Sequence, residues 1–390
     1  MCFEARRSTD CTKDAVIETR SQARPESRYA TINALGVLDN PNLPLSPEVD
    51  EVDEADAADV DALGYISGTR GVDARALADA RSAGLSAVNI TLGHVAGSGD
   101  AFCETVRDIT GWNAFVADRP DALRRVLGVA DIAAAADAGQ VGVIVGFQNT
   151  EMLGRELDRV RLFAKMGVRV IQLTYNGRNA VGDGATVPDD QGLTRFGAEV
   201  VERLQAEGVL VDLSHSSEKT CLDALALAQR PLAITHSACR AVADHPRNKT
   251  DAELRLLAER GGVIGLYFMP YLRLAGQPMA SDLIAHLEHA IAVCGEDHVG
   301  LGTDGGTTAH DDMTAYRRRL EDEVAQRRAL GIGAPGETAD VATFLPDLCG
   351  PTQFQRLADL LDARGHSEAR IEKILGGNFR RLMADAWAHS

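Results

Sequence analysis

The sequence has no hydrophobic run of the ~20 residues that a membrane-spanning helix needs. Its first 30 residues are charged throughout and lack the apolar core of a secretory signal. We therefore expect a cytoplasmic protein with no membrane partner. Positive charge is also scarce, because 40 Lys and Arg residues stand against 57 Asp and Glu residues and leave a net charge of −17. A nucleic-acid-binding surface needs clustered Lys and Arg, so we expect no nucleic-acid partner.

Paired cysteine motifs and a glycine-rich phosphate loop are missing as well. The seven cysteines are dispersed and include no C-x-x-C, a pattern typical of reduced thiols. No G-x-G-x-x-G follows an early apolar run, and a doubly wound sheet that binds a dinucleotide would carry this motif there. The absence argues against an open sheet of that kind.

The sequence does contain a repeated strand-and-helix pattern. Its short β-rich runs are nearly continuous in apolar residues, as is typical of parallel strands buried on both faces. The eight runs are Thr31–Leu35, Ser86–Leu92, Val141–Phe147, Val168–Tyr175, Leu210–His215, Leu232–Ser237, Gly262–Phe268 and His298–Asp304. Eight strands that alternate with helices predict an α/β protein of the (β/α)8 TIM barrel type. We expect one barrel domain with C-terminal helices over residues 31–390, preceded by a flexible arm over residues 1–30.

Three polar residues, His215, His236 and Asp304, stand at the downstream ends of their runs. Catalytic residues of barrels lie at the C-terminal ends of the strands, so we expect these three side chains to share one pocket. Two neutral imidazoles and a carboxylate are suitable ligands for a divalent cation such as zinc. Asp304 could instead act mainly as a base that accepts and passes on a proton. Histidines that only cap strands through hydrogen bonds are the alternative, and it explains one histidine better than all three residues.

Two arginines and a long loop are candidates for contacts with a substrate. Arg240 and Arg247 follow His236 closely, and a guanidinium at the rim of a barrel suits bidentate binding of a carboxylate. A surface salt bridge is the alternative for either arginine. The loop Asn176–Gly192, which is rich in glycine and aspartate, follows the fourth run and is a candidate substrate lid.

The chain contains four long motifs, VDLSHSS, ITHSACRAVADHPRNKTDAELRLLAERGGVIGLYF, DHVGLGTDGG and ILGGNFRRLM. Together they resemble the membrane (renal) dipeptidase family, peptidase family M19 of the amidohydrolase superfamily. The resemblance extends from about Val141 to Met383 and implies a barrel with a binuclear zinc centre that hydrolyses dipeptides, some with a D-residue at the C-terminal position. By motif, His215 and His236 match the two histidine ligands of one metal. Asp304 matches the aspartate that binds the other metal and moves the proton, and Arg247 matches the arginine that binds the substrate carboxylate.

The sequence departs from the pattern of this family at three places. The family opens its first strand with His-x-Asp, whereas this chain reads INALG over residues 32–36. The glutamate that bridges the two metals is replaced by the neutral Gln148, and a histidine after the fourth strand is replaced by Tyr175. Tyr175 keeps a hydrogen-bond donor for an oxyanion but carries no positive charge. We therefore expect one divalent ion, zinc for preference, bound by His215, His236 and the oxygen of Gln148. The weaker ligand set also allows an empty site.

These observations predict a dipeptidase-like metallohydrolase that acts on a dipeptide or another small amide bearing a free carboxylate. We expect Asp304 and Tyr175 to be catalytic, and Arg247, Tyr175 and Asn176 to contact the substrate. Two alternatives remain: a repurposed acid–base enzyme of a biosynthetic pathway that does not hydrolyse its substrate, and a non-catalytic homologue that binds a small molecule. The resemblance also allows a homodimer.

Overall fold

The computed structural model describes residues 28–43 and 69–388, so most of the predicted N-terminal arm lies outside the described residues. Within these ranges the sheet consists of parallel strands in the order β1-β2-β4-β5-β6-β7-β8-β9, and β3 pairs with the start of β4. The strands are β1 (Thr31–Asn33), β2 (Leu85–Thr91), β3 (Leu123–Arg125), β4 (Val141–Phe147), β5 (Val168–Gln172), β6 (Leu210–Asp212), β7 (Ala233–Ser237), β8 (Val263–Leu266) and β9 (Val299–Leu301).

The first and last strands meet and nearly close the sheet. The amide of Ala34 donates to the carbonyl of Leu301 at 3.0 Å. The side chain of Asn33 bonds Thr303 twice, accepting from its amide at 2.8 Å and donating to its hydroxyl at 2.8 Å. The predicted (β/α)8 barrel is therefore confirmed.

Helices follow the strands and cover the outside of the barrel. They are α1 (Ala74–Ser82), α2 (Ala101–Ala117), α3 (Val129–Asp137), α4 (Asp158–Lys165), α5 (Arg195–Ala206), α6 (Glu218–Leu227), α7 (Asp251–Glu259), α8 (Ala280–Cys294), α9 (Met313–Ala329), α10 (Gln353–Ala363), α11 (Glu368–Glu372) and α12 (Asn378–Trp387), with a π-helical turn at Lys373–Gly377. Sequence signals set several helix starts. At α7, for example, Thr250 accepts from the amide of Glu253, whose carboxylate bonds back to the amide of Thr250. None of the helices in the described ranges is long and apolar enough to cross a membrane.

Two glycines allow β8 and the residue after β9 to approach β7 closely, beside the predicted site. A Cβ atom on Gly265 would lie 2.0 Å from the carbonyl oxygen of Thr235, and one on Gly302 would lie 1.9 Å from the same oxygen. Any larger residue at these positions would displace the backbone next to His236. The fold thus fixes the position of this histidine through backbone packing.

The eight predicted strands all form, but several end earlier than their apolar runs. The sheet pairing of β5 stops at Gln172, that of β6 at Asp212 and that of β9 at Leu301. Tyr175, His215 and Asp304 therefore lie in the turns just after the strands, where the backbone is free to aim side chains into the barrel mouth. Sequence analysis missed β3, which is only three residues long.

Candidate active site

The two predicted histidines are in direct contact at the C-terminal end of the barrel. The Nε2 atoms of His215 and His236 lie 2.9 Å apart. His236 belongs to β7, and His215 lies in the turn after β6. Both residues are buried, with 4% and 0% of their surface exposed. Burial lowers the pKa of each imidazole well below its usual value, and the nearby Arg247 lowers it further, so both rings are neutral.

A buried carboxylate beneath the pair holds the β6 and β7 ends in register. One oxygen of Asp212 accepts from the amide and hydroxyl of Ser214 and from the amide of Thr235, at 3.0, 2.5 and 2.9 Å. The other accepts from the hydroxyl of Thr235 at 2.6 Å. Ser214 also accepts from the amide of His236 at 3.0 Å. This network fixes the backbone of His236 against the end of β6, where His215 follows Ser214 in the chain.

The hydrogen-bond partners of the two Nδ1 atoms indicate which tautomer each ring adopts. Nδ1 of His236 lies 2.9 Å from the hydroxyl oxygen of Thr235, whose proton is already donated to Asp212. Nδ1 of His215 lies 2.8 Å from the side-chain oxygen of Asn176, and the amide nitrogen of Asn176 is oriented by its bond to the carbonyl of Ile332. Both Nδ1 atoms therefore act as donors, and in neutral rings both Nε2 atoms then carry lone pairs.

Two nitrogen lone pairs that face each other repel unless a cation lies between them. Histidine ligands of metals usually donate their second N–H to a protein oxygen, as His215 and His236 do here. Two nitrogen ligands on a tetrahedral zinc ion are about 3.3 Å apart, so the observed pair would need only a small opening to bind one. The pair therefore fits two ligand positions of a divalent ion.

The pair has no third ligand grouped with it among the His, Cys, Asp and Glu side chains that the structure describes. Within the described residues, no group of three or more His, Cys, Asp or Glu side chains is placed to hold a metal ion. Asp304 thus lines the same cavity as His215 without joining the two histidines as a common ligand. Gln148 also lines the cavity, and its amide nitrogen donates to the hydroxyl of Thr91 at 2.9 Å. Its carbonyl oxygen is the neutral ligand that remains available.

The cavity beside the histidines has a volume of about 170 Å³. Residues that line it include His215, Tyr175, Asn176, Arg247 and Asp304. Gln148 also lines the cavity. His236 does not line it but lies behind His215, in contact with that ring.

Arg247 is a buried cation with no acidic partner in the described residues. It is 2% exposed, and its Nη1 donates to the carbonyl of Ser214 at 2.5 Å. None of the carboxylates described by the structure lies within the 4.0 Å ion-pair distance of its guanidinium. A buried charge without a partner is costly, and a carboxylate in the cavity would compensate it. Arg240, the other candidate, instead faces Glu218 at 3.4 Å.

Asp304 combines an unusual backbone with an altered acidity. Its φ angle is +57°, the only positive value at a non-glycine residue in the described ranges. Such strain persists only where the surrounding structure imposes it, and it is concentrated at functional sites. Burial raises the pKa of Asp304 to about 6, although Arg247 and Arg327 favour its charged form. A carboxylate with a pKa close to neutrality is suited to both accepting and releasing a proton.

Tyr175 packs its ring on His215, with the ring centroids 4.2 Å apart and the planes 20° from parallel. Arg327 in α9 donates to the phenolic oxygen of Tyr175 at 3.0 Å. Glu337 holds Arg327 through two hydrogen bonds, of 3.1 and 2.9 Å, and also accepts from Tyr271 at 2.6 Å. Because Arg327 occupies an acceptor position of the phenol, the O–H of Tyr175 remains to donate to a ligand.

Sequence reasoning missed Arg327, Glu337 and Tyr271. Two of them lie in the long segment after β9, where no apolar strand pattern points to a pocket. The length of that segment was the available signal, since long loops at the C-terminal ends of barrel strands often carry functional residues.

A (β/α)8 barrel with paired histidines, a strained aspartate and an unpaired arginine at its C-terminal end is typical of metal-dependent hydrolases. The model of the membrane dipeptidase family, Peptidase family M19, matches residues 72–330. The chain therefore belongs to this family.

Individual relatives resemble the chain over different extents. Dipeptidase tcpJ from Claviceps purpurea is 28% identical over 252 residues, which cover 64% of this chain and 52% of that protein. The match thus spans about half the length of this relative, as it does for two further curated dipeptidases. The crystal structure of an amidohydrolase from Pseudomonas aeruginosa superposes with a TM-score of 0.71 at 26% identity, covering 92% of this chain and 97% of the other. A metallo peptidase from Rhodobacter sphaeroides, liganded with a phosphinate mimic of L-Ala-D-Ala, superposes with a TM-score of 0.69 at 20% identity, covering 92% of this chain and 99% of the other. At this identity the likeness supports the fold alone.

Proposed function

We propose that the chain hydrolyses a small amide that bears a free carboxylate, such as a dipeptide, with one divalent ion, expected to be zinc, bound by His215 and His236. The observation that carries the proposal is the pair of Nε2 atoms facing each other at 2.9 Å, each in a ring whose Nδ1 donates to a protein oxygen. The dipeptidases among the relatives support this substrate class.

Arg247 would bind the substrate carboxylate. Its guanidinium is buried, lines the cavity and lacks an acidic partner among the described residues. A planar guanidinium binds a carboxylate through two parallel hydrogen bonds, which fixes the orientation of the substrate as well as its affinity. Asn176 lies beside His215 and contacts the same part of the cavity.

Asp304 and Tyr175 would carry the proton transfer and the charge that develops on the amide oxygen. Asp304 removes a proton from the attacking water and passes it to the leaving amine, a role that its pKa of about 6 favours. Tyr175 donates its hydroxyl proton in a hydrogen bond to the oxyanion, while Arg327 holds the phenol in place. A divalent ion at the histidine pair would supply Lewis acidity to the same carbonyl.

The metal content of the purified chain tests this proposal first. Protein purified without chelator from medium containing zinc and manganese should hold about one ion per chain, and His215→Ala should lose it. His289→Ala is the matched control, because His289 bonds Asp251 on the outer surface, away from the site. Two ions in the wild type would contradict a single-metal site, and no ion would contradict metal-dependent hydrolysis.

Activity provides the second part of the test. The wild type with metal bound should release amino acids from a panel of L,D- and L,L-dipeptides, and Asp304→Asn should slow turnover by about 10²–10⁴-fold. No third His, Cys, Asp or Glu of the described residues is grouped with the two histidines, and this favours one other candidate, an acid–base enzyme that does not hydrolyse its substrate. Turnover of the panel by metal-free protein would contradict the role of the metal, whereas turnover of none of its members by the metal-bound form would favour that candidate.

A further inference from the structure

One short stretch of chain, residues 327–337 at and after the end of α9, returns to the active site. Arg327 donates to the phenolic oxygen of Tyr175 at 3.0 Å. The carbonyl of Ile332 accepts from the side-chain amide of Asn176 at 2.7 Å. Two residues that are expected to contact the substrate are therefore held by this stretch. The catalytic steps proposed above use none of its side chains except Arg327.

The same stretch reaches the backbone of Arg247 through His245. Nδ1 of His245 accepts from the amide of Arg247 at 3.1 Å, so the neutral ring carries its proton on Nε2. This Nε2 lies 2.9 Å from the carbonyl oxygen of Pro335 and donates to it. Burial lowers the pKa of His245, which favours the neutral ring. His245 thus connects residues 327–337 with the arginine that is expected to bind the substrate carboxylate.

The carboxylate of Glu337 joins these contacts. It accepts from Nε and Nη2 of Arg327 at 3.1 and 2.9 Å, and from the amide of Ala334 at 2.9 Å. It also accepts from the hydroxyl of Tyr271 at 2.6 Å, and the ring of Tyr271 stacks on His245 with the centroids 4.3 Å apart. Loss of this carboxylate would therefore free both Arg327 and the turn whose carbonyl faces His245.

The partners of Glu337 keep it charged although little of it reaches solvent. Its side chain is 13% exposed. Burial raises the pKa of Glu337, but the hydrogen bonds from Arg327 and Tyr271 outweigh this effect and hold the pKa below its usual value. A buried carboxylate that accepts several hydrogen bonds keeps the groups around it in fixed relative positions.

We infer that Glu337 is a positioning residue that orients Arg247 and the phenol of Tyr175 together, although its own hydrogen bonds go to other residues. It acts on the phenol through Arg327, and on the backbone of Arg247 through the contacts of His245. Misplacement of a binding group by about 1 Å can cost up to about 10²-fold in turnover. The inference rests on the proposed function, because it aligns the group that binds the carboxylate with the group that binds the oxyanion.

Glu337→Gln tests the connection to Arg247 through the binding of hexanoate, which cannot be hydrolysed. Glu337 lines the cavity, so removal of its negative charge would by electrostatics alone strengthen the binding of an anion. Misplacement of Arg247 has the opposite sign, and we expect affinity to fall by about 2- to 30-fold. Isothermal titration calorimetry of the metal-bound chain measures the change. Unchanged or tighter binding in Glu337→Gln would overturn the inference, as would no binding by the wild type.

Two further variants control this comparison. Glu321→Gln is the matched control, because Glu321 is exposed on α9, and it should bind hexanoate as the wild type does. Tyr271→Phe leaves the charge of Glu337 in place and removes one hydroxyl that donates to it, so it should also weaken binding. Circular dichroism shows whether each variant is folded. If Glu337→Gln did not fold, unchanged affinity in Tyr271→Phe would overturn the inference.

Turnover of a dipeptide tests the connection to Tyr175. Glu337→Gln should raise KM through Arg247 and lower kcat by about 2- to 30-fold through the phenol. Tyr175→Phe already lacks the phenolic hydroxyl, so adding Glu337→Gln to it should lower kcat little further. An equal loss of kcat in both backgrounds would indicate a general structural role and contradict the inference. If the wild type hydrolysed no dipeptide, the proposed function would fail, and the binding of hexanoate would still decide the inference.

Discussion

Two walls of the cavity beside Asp304 are built in different ways. The histidine wall, formed by His215, His236 and Arg247, is at most 4% exposed and is held by a network of hydrogen bonds to protein atoms. The acidic wall, formed by Asp39 and Glu323, is partly exposed, and its carboxyl groups have no ion pair among the described residues.

The difference indicates how each wall serves a ligand. The two histidines, whose Nδ1 atoms both lie against protein oxygens, keep one geometry, which suits atoms that must meet a reacting bond with little error. Charged groups without partners lower the stability of the folded chain, and natural proteins retain such groups where function requires them. The histidines are thus suited to chemistry, and the unpaired charged groups, Arg247 included, are suited to recognition of a ligand.

The largest expected effect comes from removing the cation of the histidine wall. Arg247→Met should reduce the affinity for hexanoate by about 2–5 kcal/mol, the usual result of truncating one partner of a buried, hydrogen-bonded charge pair. Calorimetry measures the change, and Arg240→Met is the control at the rim, where the guanidinium already faces Glu218. A loss of equal size in both variants would mean that general charge, and not the buried site, attracts the ligand.

Much of the histidine wall could be predicted from the sequence because its residues follow strands. His215, His236 and Asp304 each come at the end of an apolar run, and parallel strands bring such ends to one side of a barrel. The direct contact between His215 and His236 could not be predicted, since it depends on the turn after β6, which leaves the sheet before the apolar run ends.

A smaller effect is expected beneath the histidines. Asp212→Asn replaces a carboxylate that accepts four hydrogen bonds from Ser214 and Thr235. The new amide nitrogen would donate to the Thr235 hydroxyl, whose proton would then be free to donate to Nδ1 of His236 and change the tautomer of that ring. We expect metal affinity to fall by about 10–100-fold, as is usual when groups that orient metal ligands are changed. Competition with a chelating dye measures this affinity. Asp223→Asn is the control, because Asp223 accepts from the amide of Leu193 without contacting the histidine network; unchanged affinity in Asp212→Asn would show that the wall does not depend on this network.

The acidic wall could not be predicted because its residues come from segments without strand periodicity. Asp39 follows β1 by several residues, and Glu323 lies on α9, whose sequence is charged on most sides. Only the folded chain brings these carboxyl groups together with Thr308 around one cavity. Arg327 was missed for the same reason, since it also lies on α9.

The smallest expected effect concerns stability, and it tests whether the acidic wall is kept for a ligand. The pKa of Asp39 is about 6 in the folded chain against 3.8 ordinarily. The neutral form of Asp39 therefore contributes fully to the stability of the folded chain below about pH 4, and this contribution is lost as the pH rises through 6. Asp39→Asn is neutral at every pH, and it should therefore be more stable than the wild type by about 1–2 kcal/mol near pH 8 and equal to it near pH 4. Thermal unfolding across this range measures the difference, with Asp322→Asn on the surface of α9 as the control. A less stable Asp39→Asn at high pH would mean that Asp39 stabilises the fold through its charge, and the contrast between the two walls would then disappear.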